Sequence, residues 1–147
     1  MITADPADLG LRIDVRGKPV AQPRSKAVNR GTRAGIYTPA TADGWKTLVV
    51  LAVRELPRRE GGQVLWLKFE FERPKGHYGS KGLKASAPEL HDQRPDADNL
   101  GKACLDAMVD AGFLPDDRLV VGLFITKEWS TAGGCQITIR NAKRSNS

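Results

Sequence analysis

Leu65, Leu67, Phe69 and Phe71 alternate with Trp66, Lys68, Glu70 and Glu72. A period of two sustained this far describes a strand with one buried face. A strand cannot stand alone, so the rest of the chain must supply partners and a cover for that face. Leu11, Ile13 and Val15 alternate with Arg12, Asp14 and Arg16 in the same way. Residues 119–126 are rich in β-formers, and Cys135, Ile137 and Ile139 alternate with Gln136, Thr138 and Arg140. These last two segments, joined around "STAGG", read as a closing antiparallel hairpin.

The cover comes from two stripes at helical spacing. Trp45, Leu48, Val49, Ala52, Val53 and Leu56 predict a helix over residues 41–56, with Thr41 as N-cap and Pro57 as stop. Leu100, Ala103, Cys104, Ala107, Met108 and Ala111 predict a second helix, closed by Gly112. The order is β-α-β-α-β-β. It implies an α+β chain, a single domain over residues 1–147 with a small mixed sheet and two helices packed on it.

The formal net charge is +6, which favours a polyanionic partner without choosing among nucleic acid, acidic lipid and acidic protein. Much of the excess lies in two stretches rich in Gly, Pro and basic residues, 17–36 and 73–88. They read as loops, the second flexible, and residues 141–147 read as a frayed basic tail. No apolar run approaches the roughly 20 residues that cross a bilayer. The opening "MITADPADLG" lacks the build of a signal peptide, so the expected location is the cytoplasm. Cys104 and Cys135 read as free thiols, and no Cys/His cluster has zinc-site spacing.

Against this basic background, "PDADNLGKACLDAM" crowds acid at the start of the second helix. A helix mouth welcomes one carboxylate as a cap, but Asp96 and Asp98 are two. Asp98, Lys102 and Asp106 follow at i, i+4 and i+8, on one face, where a surface ion-pair ladder is the plain explanation. "LPDDRLV" adds Asp116 and Asp117, which could simply cap a turn. If the fold returns Asp117 beside Asp96 and Asp98, the carboxylates repel by roughly 4 kcal/mol per pair at 4 Å. Shared protons or a hard cation such as Mg²⁺ or Mn²⁺ would relieve that. Lys102 could then steady phosphate charge or protonate a leaving oxygen.

The stretch "RPDADNLGKACLDAMVDAGFLPDDRLV", residues 94–120, resembles the signature of the RusA family of Holliday junction resolvases. The family pattern is a basic residue, x-D-x-D-N-L-x-K-x-x-x-D-A-L, a short spacer and D-D, and Met108 replaces its leucine. "GKPVAQPRSK", "IYTP" and the segment from Arg73 to Asn99 are similar to phage and prophage members. The resemblance implies a homodimeric endonuclease that needs Mg²⁺, or Mn²⁺ in its place, and no small-molecule cofactor. Such an enzyme resolves four-way DNA junctions by paired symmetric nicks during recombination and repair in a bacterial cytoplasm. Carried over by position, Asp96, Asp98 and Asp117 are the metal ligands and Lys102 the catalytic lysine, with Asp116 and Asp106 as supporting groups. Arg24, Lys26 and Arg33, and Lys75, Lys81 and Lys84, are the expected DNA contacts. His77 and His91 are candidate phosphate contacts and Tyr78 a candidate stacking residue.

Three other readings stay open on the residues. One is a less specific nuclease on branched DNA, and another a non-catalytic junction-binding protein. A basic adaptor for acidic protein or RNA is the third, and it leaves the aspartates unexplained.

Overall fold

The computed structural model describes residues 1–23, 26–30, 33–37 and 41–144, with backbone only for 26–30 and 33–37. Its main elements are β2 (Leu11–Arg16), α1 (Asp43–Val53), β5 (Gln63–Glu72), α2 (Ala97–Asp110), β8 (Val120–Ser130) and β9 (Gly134–Arg144). They follow the expected order. Short strands are added to it: β1 (Ile2–Ala4), the pair β3 (Lys26–Arg30) and β4 (Arg33–Tyr37), and the pair β6 (Tyr78–Gly79) and β7 (Gly82–Leu83).

The strand that anchored the sequence argument lies inside the sheet. β5 pairs with β9 in antiparallel fashion on one edge and with β8 in parallel on the other. β2 and β1 pair with β9 in turn, both antiparallel. The expected β8–β9 hairpin is therefore corrected: β5 is inserted between them. Three residues, Thr131 to Gly133, join β8 to β9. Such a link spans the roughly 10 Å across one intervening strand as readily as it makes a turn. The spacing that suggested a hairpin could not tell these apart. A parallel neighbour demands a crossover, and α2 lies in the one from β5 to β8.

The apolar alternation does what it implied. Leu65, Leu67 and Phe69 of β5 and Cys135, Ile137 and Ile139 of β9 are buried in one core with Trp45, Val49 and Val53 of α1. α2 adds Leu100, Ala103, Cys104, Ala107 and Met108, and both cysteines are free thiols. Gly101 lets α2 approach β8 closely, since a Cβ there would come within 2.5 Å of the Ile125 side chain. α2 ends as expected at Gly112, whose φ of 76° suits glycine. The N–H groups of Gly112 and Phe113 donate to Val109 and Met108, which satisfies the last carbonyls.

Three local expectations change. α1 starts after Ala42 with no side-chain cap, so Thr41 does not fill that role. The basic stretch 17–36 contains the β3–β4 pairing rather than loop alone. Residues 141–144 belong to β9, not to a frayed tail, because β5 pairs with Asn141 and β1 with 142–144; 145–147 lie outside the described residues. Among the described residues, no helix is long and apolar enough to cross a membrane.

Candidate active site

The path into α2 is fixed by the C-terminal halves of β5 and β8. Lys127 Nζ donates to the carbonyls of Gln93 (2.6 Å) and Pro95 (2.9 Å), and Trp129 Nε1 donates to that of Leu90 (3.2 Å). His91 is buried between Phe71 and Trp129, with ring centroids 4.5 and 4.2 Å away. Burial lowers its pKa, so the ring favours the neutral form. It serves as a packing residue, not the phosphate contact the sequence suggested. His77 also packs, edge-on to Trp129 at 5.1 Å.

Beyond this clamp the chain presents its acids. Asp96 occupies the N-cap position of α2 with extended backbone, and its carbonyl accepts from Leu100 N–H at 3.0 Å. Its carboxylate makes no cap hydrogen bond. The capping explanation for Asp96 therefore fails on geometry. Asp98 lies in the first turn, and both residues are exposed. Neither carboxylate has a hydrogen-bond or ion-pair partner among the described residues.

One turn further, the ladder forms on one side only. Lys102 Nζ pairs with Asp106 Oδ1 at 2.8 Å, not with Asp98. Lys46, from α1, approaches Asp106 Oδ2 at 3.9 Å. The hydrogen bond to Asp106 raises the Lys102 pKa against a modest burial cost, and the charge of Asp117 adds to it. Lys102 is thus common to both acidic sets, one helical turn from Asp98 and within electrostatic reach of Asp117.

Asp116 and Asp117 follow α2 at a short 3₁₀ turn, Asp117–Leu119. Asp116 caps that turn by accepting from Arg118 N–H at 2.9 Å, which lowers its pKa; its contact with the Asp117 side chain acts in the same direction. Asp117 is exposed and lines an open pocket of about 310 Å³ with Lys46, Asp106, Val109, Asp110 and Asp116. Among the described residues, no group of three or more His, Cys, Asp or Glu stands close enough to hold a metal ion. The three expected ligands are thus not gathered into one coordination sphere. Their chemistry still fits a hard divalent cation in kind: Asp96 and Asp98 offer exposed carboxylate oxygens with no partner among the described residues, which leaves room for water.

The second basic stretch is not the flexible loop its composition implied. Arg73 Nη1 donates to Pro88 O at 2.8 Å, Lys84 N–H to His77 O at 2.9 Å, and the Arg73 guanidinium lies 5.6 Å from the Trp129 ring centre. Lys75, Lys81 and Lys84 are exposed on this braced segment. Arg24 lies outside the described residues, and Lys26 and Arg33 lie on β3 and β4, whose side chains are not described.

Sequence reasoning missed Lys127, Trp129 and Lys46, and gave Phe71 only as a buried strand residue without its contact to His91. Lys127 and Trp129 are two apart on β8, so they share a face, yet only the fold shows that loop 90–95 lies on it. Lys46 carries no signal of its own, because its partner is on another helix.

A family model described as Endodeoxyribonuclease RusA matches residues 16–140 of the chain. No curated protein matches it at the significance required.

Proposed function

From the premise that this chain belongs to the RusA endodeoxyribonuclease family, whose model spans residues 16–140, we propose that it resolves four-way DNA junctions by paired symmetric nicks. In this reading it acts as a homodimer, and Asp96, Asp98 and Asp117 hold a Mg²⁺ ion that Mn²⁺ can replace. The observation that carries the reading is the pair of carboxylates at the α2 mouth that have no partner among the described residues. An N-cap aspartate that does not cap forgoes about 1 kcal/mol of stability, which a ligand-binding role explains and a structural role does not.

The chain's own groups have distinct tasks. Asp96 and Asp98 supply oxygens at a helix mouth held in place by Lys127 and Trp129. Asp116 sets the turn that presents Asp117. Lys102, steadied by Asp106, stays cationic at neutral pH and can donate to a phosphate oxygen or to the leaving oxygen. Lys75, Lys81 and Lys84 neutralise phosphates of the DNA arms. A bound divalent ion would supply Lewis-acid charge and a more acidic water.

A second reading, a junction-binding protein without cleavage, draws on the separation of the three carboxylates. One assay divides the two. An end-labelled four-way junction and a linear duplex with matched arms are incubated with Mg²⁺ and with EDTA. Symmetric nicks in the junction alone, and only with metal, are expected. Nicks in every branched substrate would favour the less specific nuclease. Tight junction binding without cutting in Mg²⁺ or Mn²⁺ would favour the binding protein.

A further inference from the structure

β6 and β7 have two residues each, joined by Ser80 and Lys81, and neither buries anything. Tyr78 stands opposite Leu83 across the pair, and these side chains are 43% and 52% exposed. A two-residue ladder has little intrinsic stability, so the rest of the molecule must hold this one. The bracing comes from Arg73, His77 and Trp129, as described above. Trp129 also holds the carbonyl of Leu90 on the way into α2. The hairpin tip and Asp96 are therefore mounted on one platform.

The surroundings of the tip say what it meets. Residues 73–88 contain no acidic residue, and Lys75, Lys81 and Lys84 are exposed with no ion-pair partner among the described residues. An apolar pair on a segment that also carries three exposed lysines suits a surface that is anionic outside and flat and apolar within. Base pairs flanked by phosphates have that character. Lipid headgroups and acidic protein offer the charge but no flat apolar step framed by it.

We propose that Tyr78 and Leu83 form a wedge that enters DNA at the branch point, where Tyr78 stacks on the exposed base pair and Leu83 fills the space beside it. At a branch point stacking is already interrupted, so the unstacking that an inserted side chain must impose is smallest there. The lysines hold the flanking phosphates, and the shared platform sets the distance from the opened step to the cut. The proposal rests on the junction reading above.

The test uses the full chain in EDTA, so that binding is read without cutting. One four-way junction carries 2-aminopurine at the branch point, and a second carries it in mid-arm. A several-fold fluorescence rise at the branch alone is expected on binding. Tyr78→Ala with Leu83→Ala should abolish the rise while saturable junction binding and the circular dichroism spectrum persist. Tyr78→Trp should retain the rise. A rise that survives the double substitution overturns the wedge, as does saturated binding with no rise, and either result leaves the junction reading standing. No preference for junction over duplex overturns both. A double variant that changes oligomeric mass while its fluorescence rise remains shows the tip to be a contact between protein chains and also overturns the wedge.

Discussion

Two groups of carboxylates in this molecule are treated in opposite ways. Asp8 accepts from the backbone N–H of Asn141 (2.6 Å) and of Gly10 (2.8 Å) and from Arg59 (2.8 Å). Glu70 accepts from Arg16 (2.8 Å), Ser130 (3.1 Å) and Gln136 (3.1 Å), so one side chain ties together β2, β5, β8 and β9. These contacts hold both pKa values below the usual carboxylate range, led by the Asn141 N–H at Asp8 and by Arg16 at Glu70. Asp96 and Asp98, in contrast, have no hydrogen-bond or ion-pair partner among the described residues. Where acid serves the fold it is saturated with donors. Where it is left bare beside a positioned lysine, the fold gains little from it, which accords with the ligand-binding role proposed for it.

The sharpest break of that contrast is a pair of substitutions. Asp96→Asn or Asp98→Asn should abolish junction cleavage and leave junction binding intact, since removing negative charge cannot repel DNA more. The urea-unfolding free energy should move by no more than about 0.5 kcal/mol, as at other surface sites. A clear loss of stability with cleavage retained would place these aspartates with Asp8. The converse is Asp8→Ala, which strands three donors and should cost about 2–3 kcal/mol. Cleavage per folded molecule should not change. Because the folded pKa of Asp8 is lowered, its contribution is present above about pH 4 and is lost as pH falls through the folded value. The acid limb of a stability–pH curve should therefore be shallower in the variant.

Lys102→Ala should come next in size, slowing single-turnover cleavage far more than it weakens binding. Equal losses in both would make Lys102 a phosphate clamp only. Replacing Lys75, Lys81 or Lys84 should do the reverse, weakening binding and flattening its log–log salt dependence by about 0.9 per lost phosphate contact. An unchanged slope would take that residue off the DNA.

The smallest effect concerns the platform. Burial lowers the His91 pKa, Lys127 adds to the shift, and Asp92 opposes it. The stability this gives is complete above about pH 6.5 and is lost as pH falls through the lower folded value. Amides of residues 90–94 should exchange faster in mildly acidic buffer, and His91→Phe should remove that pH dependence. Exchange that is insensitive to pH after correction for intrinsic rates would show that the ring carries no such role.

The fold was legible where a period ran long. Leu65 to Glu72 and Leu100 to Ala111 announced their elements because each buries one continuous face. Partner choice was not legible, because the pattern of β8 and β9 is the same whether they pair with each other or with β5. The motif aspartates were legible as residues, and the resemblance named the family that the match then showed. Their surroundings were not: the Lys127 and Trp129 hydrogen bonds join residues 32 to 39 positions apart. Nor did composition show that residues 73–88 are braced. Gly, Ser and Lys suggest mobility, and it took one tryptophan from another strand to hold them.

The insertion of β5 between β8 and β9 also has a consequence for the route to the native state. β8 and β9 are neighbours in sequence, and isolated hairpins close in about 1–10 μs, faster than distant segments meet. In a chain diluted from denaturant, this quick pairing competes with the native one and must reopen before β5 can enter. A chain emerging from the ribosome meets the problem in another order, because β5 is complete before either of its flanking partners exists. The direction of synthesis thus favours the arrangement that local kinetics opposes.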